Sequence, residues 1–314
     1  MRNEVVTIFG GTGFIGRHLV RRVAQTGATI RVVTRDPDRA GFLRPMGAVG
    51  QIALLPYAAD EAGVKRLVDG STGVVNLLGI LFERRSGDFM AVHRDVPERI
   101  AQAAAATGVR RLVQMSAIGA DPQGEALYAK SRGEGEAVVR AAFPKATIIR
   151  PSIVFGPGDG FFARFAQMSV MSPFLPLIDG GKTRFQPVYV GDVAEAIGRC
   201  VESDEHQGKT FELGGPEVRS FAELLRYILD TVNRRRLLLP LPSRIAAIQA
   251  RFLEFLPTPP LTRDQLLMLK TDNVVSEGAL TLRDLGIQPT PIEVIVPGCL
   301  APFTRPRRQA RPVA

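Results

Sequence analysis

Glu4-Val-Val-Thr-Ile-Phe-Gly-Gly-Thr-Gly-Phe-Ile-Gly16 stands at the head of the chain, and its reading decides the fold. Val5–Phe9 is a short β-branched and aromatic run, the composition of a strand buried on both faces. Gly10, Gly11, Gly13 and Gly16 follow, and Phe14–Thr26 is amphipathic at helical spacing. A strand, a glycine-rich turn and a helix in that order form the opening of a dinucleotide-binding βαβ unit. Gly10 allows the turn out of the strand, Gly13 lets backbone approach a pyrophosphate, and Gly16 lets the helix lie close on the sheet. The helix dipole favours negative charge at its start, so Thr12, Phe14 and Ile15 are expected against the phosphates with these glycines.

Outward from this unit the pattern repeats. Thr29–Thr34, Gln51–Leu55, Gly73–Leu78, Arg111–Met115 and Ala146–Arg150 read as further strands. Between them Asp60–Asp69, Phe89–Thr107 and Tyr128–Ala142 read as helices. This alternation predicts an α/β fold with a doubly wound parallel sheet of Rossmann type. After Pro151 the pattern loosens. Gly156–Gly160 is a loop with an apolar helix behind it, and Val188–Val190 is a short strand followed by a helix capped by Asp192 and running to Val201. Thr210–Leu213 is a strand, and Ser220 with Glu223 and Thr262 with Gln265 read as capping boxes. The expected division is a nucleotide-binding domain over 1–155 and a C-terminal portion over 156–302. That portion partly returns to the sheet and partly forms a smaller α-rich cap, and a disordered basic Pro/Arg-rich tail follows over 303–314.

Composition narrows the class. The 314 residues are 45% hydrophobic and 23% charged, ordinary for a soluble globular chain long enough to bury a large core. Cys200 and Cys299 are too few for a disulfide framework, and His18, His93 and His206 lie too far apart for metal-ligand spacing, so no metal is expected. The net charge of +9 includes local clusters at Arg234–Arg236 and in the tail, at Arg305, Arg307, Arg308 and Arg311. Clustered basic charge suits an acidic partner or an anionic membrane, and scattered arginine suits a solvated surface. With no tryptophan and no aromatic residues interleaved among the basic ones, nucleic acid is rejected as a partner. A first strand beginning at residue 5 leaves no room for a leader, and no uncharged apolar run spans a bilayer. A cytoplasmic location is expected, with peripheral contact at the cytoplasmic face of the inner membrane left open.

About 20 residues after the glycines a dinucleotide fold reads the ribose, with an acid for a 2′-hydroxyl or an arginine for a 2′-phosphate. The second strand ends Val33-Thr34-Arg35, and Asp36 comes one residue late, in position to start the next helix as a cap. Arg35 favours NADP(H) over NAD(H). Asp60, at the start of a helix, Leu78 and Gly79, at the exit of the fourth strand, and Pro151, at the end of the sixth, complete the expected cofactor contacts.

Together with GGTGFIG, the Ser116 strand end, the Tyr128 helix and Arg150-Pro-Ser-Ile-Val-Phe-Gly156 make the chain resemble an extended short-chain dehydrogenase/reductase. Arg44–Gly47, Phe185–Ile197 and Pro259–Val275 are similar to segments of a narrower family, the NADPH-binding accessory subunits of respiratory complex I of alpha subcomplex subunit 9 type and their bacterial relatives. That resemblance implies an atypical member holding NADPH for structural reasons, with respiratory NADH:quinone oxidoreductase subunits or a membrane surface as partner. In active relatives a tyrosine acts as acid/base, a lysine four residues on lowers its pKa and holds the ribose, and a serine polarises the carbonyl. Here Ser116 and Tyr128 match, but Arg132 replaces the lysine with a larger, planar, permanently charged group. Lys130, two residues along the helix, falls on nearly the opposite face. Two functions follow as expectations: a cofactor-binding structural or assembly protein with little or no catalysis, and an NADP-dependent reductase, epimerase or dehydratase acting on a nucleotide sugar or a quinone- or isoprenoid-like substrate. In the first, Tyr128 only hydrogen-bonds the cofactor ribose.

Arg244–Pro257, read as a helix, gathers Ile245, Ile248, Phe252, Phe255 and Leu256 on one face, with Arg244, Arg251 and Glu254 opposite. It is either an interfacial or docking helix or a cap helix packed on its own domain.

Overall fold

The structure is a computed structural model and describes residues 1–254, 256, 259 and 261–305. In the first half, strands β1 (Val5–Phe9), β2 (Thr29–Thr34), β3 (Ile52–Pro56), β4 (Gly73–Asn76), β5 (Arg111–Met115) and β6 (Thr147–Pro151) alternate with helices. These are α1 (Phe14–Ala24), α2 (Glu61–Val68), α3 (Asp88–Met90), α4 (Val96–Ala106) and α5 (Leu127–Ala142). The second half begins with β7 (Val154–Phe155), α6 (Phe162–Met171), β8 (Phe174–Ile178), β9 (Arg184–Phe185), β10 (Val188–Tyr189) and α7 (Val190–Glu202). It continues through β11 (Thr210–Leu213), β12 (Arg219–Ser220), α8 (Phe221–Thr231), β13 (Leu237–Leu241), α9 (Ser243–Leu253), α10 (Arg263–Met268) and α11 (Ile292–Leu300).

β1 lies inside a seven-stranded sheet of order β11-β6-β5-β4-β1-β2-β3, parallel at every pairing. This is the doubly wound parallel sheet expected from the alternation, with β11 from the second half added at one edge. Successive side chains of β1 serve opposite faces. Val6 and Ile8 enter a core shared with Leu19 and Val23 of α1 and Ile197 of α7, whereas Phe9 enters one shared with Leu67 of α2, Ile100 of α4 and Val139 of α5. The strand order reverses between β1 and β4, where Phe9 and Asn76 are partners, and in a doubly wound sheet the crevice for a ligand lies at such a reversal, between the loops leaving the two strands. The remaining elements gather around Phe155, Phe162, Phe221, Leu225 and Val296, and a smaller cluster lies under α9.

Three elements differ from expectation. The helix foreseen over Phe89–Thr107 runs from Asp88 to Ala106 and widens into a π turn at Ala91–Asp95. Pro97 follows it at the start of α4; proline has no N–H to give the carbonyl of His93, four residues back, and the widened turn accommodates its ring. Asp192 is not the cap of α7, which begins two residues earlier at Val190; its carboxylate accepts from the backbone N (2.7 Å) and Oγ1 (3.0 Å) of Thr290. The tail is held at least to Arg305, whose N donates to Val232 O. Arg307, Arg308 and Arg311 lie outside the described residues, as does Phe255.

Candidate functional site

The crevice is built from the glycine turn upward. Gly10 has φ +79°, and a Cβ there would sit 3.2 Å from the Leu77 carbonyl carbon across the crevice. Gly13 N donates to Gly10 O (3.0 Å), closing the turn, and α1 starts at Phe14 with Gly13 as a cap that lends no side chain. A Cβ on Gly16 would lie 2.2 Å from Gly10 O and 2.6 Å from Gly11 Cα, so the first turn of α1 is packed on the backbone of the turn itself. Thr12, Phe14 and Ile15 are half-buried and Gly13 is exposed. No acidic side chain occupies the first turn of α1, which leaves its amides for an external anion.

At the end of β2, Arg35 is exposed and makes no hydrogen bond or ion pair among the described residues. Asp36 is committed elsewhere: its Oδ1 accepts from Arg39 N (3.1 Å) at the start of the next turn. Asp60 caps α2, accepting from Gly63 N at 3.1 Å. At the exit of β4, buried Asn76 donates through Nδ2 to Gln114 Oε1 (2.9 Å) and accepts on Oδ1 from Leu78 N (3.1 Å). That pair of bonds fixes the path Leu77-Leu78-Gly79.

Arg132 rises from α5 to meet this loop. A Cβ on Gly79 would stand 2.3 Å from Arg132 Nη2, so a side chain there would displace the guanidinium. Arg132 is 7% exposed, donates through Nη1 to Met115 O (3.1 Å), and keeps its Nε buried without a partner. Its guanidinium carbon lies 5.3 Å from the Tyr128 ring centroid. Lys130 is exposed, so it lies away from this buried cluster as helical spacing predicts. Tyr128 is half-buried, edge-on to Phe89 and His93. His93 Nε2 accepts from Ile80 N (3.1 Å), which leaves Nδ1–H to donate to Ser131 Oγ (2.9 Å), and Ser131 in turn donates to Tyr128 O (2.9 Å). Burial, reinforced by the Arg132 charge, pushes the His93 imidazole down to about 2, so it is neutral at every working pH.

Ser116 takes a different direction from the one expected of a carbonyl-polarising hydroxyl. It is 3% exposed, and its Oγ donates to Glu136 Oε1 at 2.5 Å. Glu136 also receives Arg150 through both oxygens, at 2.8 and 2.7 Å, and Arg150 reaches Glu212 at 3.4 Å. Tyr128 and Arg132 are thus brought together, while Ser116 is bonded to the Glu136 of a Glu136–Arg150 ion pair. Pro151 ends β6 beside this group and accepts from Ile118 N at 3.1 Å.

Glu136, His93, Asn273 and Asp264 were not foreseen as parts of the site. Asn273 accepts from Ser152 Oγ (2.7 Å) and donates to Ile118 O (3.2 Å), and Asp264 accepts from the backbone N of Leu127 and Tyr128. Glu136 follows Arg132 by one helical turn, a spacing visible in sequence; the other contacts join segments far apart in the chain. Among the described residues there is no group able to hold a metal ion, and no helix is long and apolar enough to cross a membrane.

The residues present fit a dinucleotide. The uncapped α1 start suits a pyrophosphate, the glycines clear its path, and the orphaned Nε of Arg132 is a buried donor at the far end of the crevice. Residues 6–214 match the NAD dependent epimerase/dehydratase family. NADH dehydrogenase (ubiquinone) 1 alpha subcomplex subunit 9 of Rattus norvegicus is 35% identical over 92% of this chain and 78% of its own length. The ceramide reductase of Caulobacter vibrioides is 35% identical over 62% of this chain and 59% of its own. Among solved structures, the dTDP-glucose 4,6-dehydratase of Streptomyces venezuelae with NAD bound superposes with a TM-score of 0.64 at 21% identity, over 76% of this chain and 84% of that one. With its sheet order, glycine turn and sequence in agreement, the chain belongs to the NAD dependent epimerase/dehydratase family.

Proposed function

We propose that this chain holds NADP(H) as a lasting ligand and serves as an accessory component of a respiratory NADH:quinone oxidoreductase, with little or no hydride transfer of its own. The similarity to alpha subcomplex subunit 9 over most of both chains supports the assignment. The observation that carries the non-catalytic half is the commitment of Ser116 to Glu136 beside an arginine at the lysine position. When bound, the nicotinamide ring supplies or accepts a hydride. A carbonyl substrate would need a free hydroxyl donor and a tyrosine of lowered pKa. Ser116 donates its proton to Glu136, and Arg132 is braced on Met115 O with its Nε left over, as suits a residue that grips a ribose.

In this assignment Gly10, Thr12, Gly13, Phe14, Ile15 and Gly16 receive the pyrophosphate, and Arg35 takes the 2′-phosphate. Leu78, Gly79, Pro151, Tyr128 and Arg132 line the nicotinamide end, while Asp60 acts through the helix it caps. The location that goes with it is peripheral, on the cytoplasmic face of the inner membrane. An NADP-dependent reductase, epimerase or dehydratase is the second reading, favoured by Tyr128 at the crevice and by the likeness to a ceramide reductase.

Purification from native membranes tests the proposal. NADP(H) and respiratory subunits are expected to accompany the chain, and bound NADPH should survive a panel of quinones and carbonyls in single-turnover assays. Rapid oxidation that disappears in Tyr128→Phe would replace the accessory role with the enzyme.

A further inference from the structure

Helix α9 is mounted with its small residues inward. Ala246 and Ala250 are fully buried, whereas Ile248 is 62% and Phe252 70% exposed. The two arginines are not opposite the apolar side chains, as the sequence suggested, but beside them. Arg244, Ile248 and Arg251 follow one another at i, i+4 and i+7 along the exposed side, flanked by exposed Ile245 and Phe252. Gln249 is the other exposed position between them, and the acids at the two ends of the helix are engaged, Glu254 with Arg263 and Asp179 with Ser243 N.

The apolar surface does not stop at the helix. β13 leads into α9 with only Pro242 between, and Leu237 and Leu239 on that strand are exposed. Leu237 pairs with Phe174 of β8, itself half exposed. Of the arginine cluster just before, Arg234 donates to Phe303 O and Arg236 to Ser169 O, and Arg235 stays exposed beside Leu237. Large apolar side chains with arginines among them make a face that water accommodates poorly.

We infer that this face, α9 with the β13 edge, lies against an anionic phospholipid surface. The inference rests on the peripheral placement proposed above and names what the face touches there. Two features favour lipid over a second protein. The side chains project from a helix and a strand edge, each more than two-fifths exposed, so they form ridges that enter a fluid layer and do not line a groove for another chain's ridge. Arg235, Arg244 and Arg251 are exposed and in no ion pair among the described residues, and arginine stems lie along apolar surface while their heads stay at the phosphate level.

The full-length chain should be sedimented with vesicles of phosphatidylcholine alone and of phosphatidylcholine with phosphatidylglycerol, at low and high salt. Nucleotide titration of every variant reports folding, since no residue altered lies in the crevice. The anionic vesicles should carry the chain down, and high salt should weaken the binding without abolishing it. Ile248→Asp/Phe252→Asp should lower partitioning about tenfold or more, and Arg244→Glu/Arg251→Glu should bring it to the level seen with phosphatidylcholine alone. A chain that stays in the supernatant with both vesicles, or variants that sediment like the parent, would overturn the lipid contact. So would capture of respiratory subunits from detergent extracts that Ile248→Asp/Phe252→Asp abolishes, because the face would then belong to a protein. A parent chain that binds neither vesicle while respiratory subunits still co-purify with it removes this inference and leaves the accessory role standing.

Discussion

Asp264 caps the helix that carries Tyr128: its carboxylate accepts from Leu127 N at 2.6 Å and from Tyr128 N at 3.1 Å. Ala126, the residue at the cap position of α5, has no side chain for the task. α10 can lend the acid because its own start is already closed by Thr262 and Gln265, each side chain bonded to the other's backbone N. Burial raises the Asp264 carboxyl above the usual carboxylate range, and the two amides offset only part of that rise. The C-terminal run therefore helps to set where Tyr128 stands.

Asp264→Ala should cost about 1–2 kcal/mol of stability, the range for losing a helix cap. It should also weaken NADPH binding a few-fold, through a loosened first turn of α5. Asp264→Asn, which keeps an acceptor, should restore most of both. Denaturant unfolding and nicotinamide fluorescence titration measure the two quantities, and full affinity in Asp264→Ala would free the Tyr128 position from α10.

The parts of this architecture legible in sequence are those whose causes lie within a few residues. The strand, turn and helix of GGTGFIG, and the capping boxes at Ser220/Glu223 and Thr262/Gln265, are local and are found where expected. What escaped depends on partners far along the chain. Asp192 meets Thr290, and β13 finds β8 across four intervening strands and the helices α7 and α8. Ser116 is claimed by Glu136, a nearly buried carboxylate 20 residues on that Arg150 also pairs with. α9 misled in another way: amphipathicity shows two faces, but alanines can be the inner one when a neighbouring surface comes close.

Gly16→Ala places a methyl carbon on the backbone of Gly10 and Gly11, which no side-chain rotation can relieve. Either α1 lifts or the turn opens, and both move the amides that receive the pyrophosphate. The expected result is about 1–3 kcal/mol of lost stability and loss of nucleotide binding by about tenfold or more. Gly41→Ala, where a Cβ meets nothing within 4 Å, is the control and should change neither. Unimpaired titration of Gly16→Ala would mean the turn adapts.

His93 should give the fold a one-sided acid sensitivity. The native imidazole holds no added proton until about pH 2, but the unfolded one protonates below 6.5. Between those values the unfolded state binds more protons, so stability is full above 6.5 and falls as pH drops, by up to about 1.4 kcal/mol per unit. His93→Asn removes this titration. The stability gap between parent and variant should therefore shrink by about 2–3 kcal/mol from pH 7 to pH 4.5. The Arg22–Glu195 pair, whose carboxyl is held low by that arginine, weakens in acid equally in both proteins and cancels. A gap that stays constant across this range would show that His93 protonates in the native state.

Cofactor choice should turn on Arg35. Its neighbour Asp36, the acid nearest the strand end, has turned to Arg39 N, while Arg35 remains exposed and unpaired among the described residues. A guanidinium in that place gains a charge-assisted contact with a 2′-phosphate and nothing comparable with a 2′-hydroxyl. Such a bond contributes about 1.5–3 kcal/mol, so NADPH should bind about 10- to 100-fold more tightly than NADH. Because the group is exposed, added salt should narrow the preference. Arg35→Asp sets a negative charge against the phosphate and should reverse the order, with NADPH affinity falling by about 100-fold and NADH affinity little changed. Fluorescence titration of both cofactors, with parent and variant at two salt concentrations, separates these outcomes. Equal affinities in the parent chain would remove Arg35 from the nucleotide site. A parallel loss of both cofactors in Arg35→Asp would instead make it a support of the β2 turn.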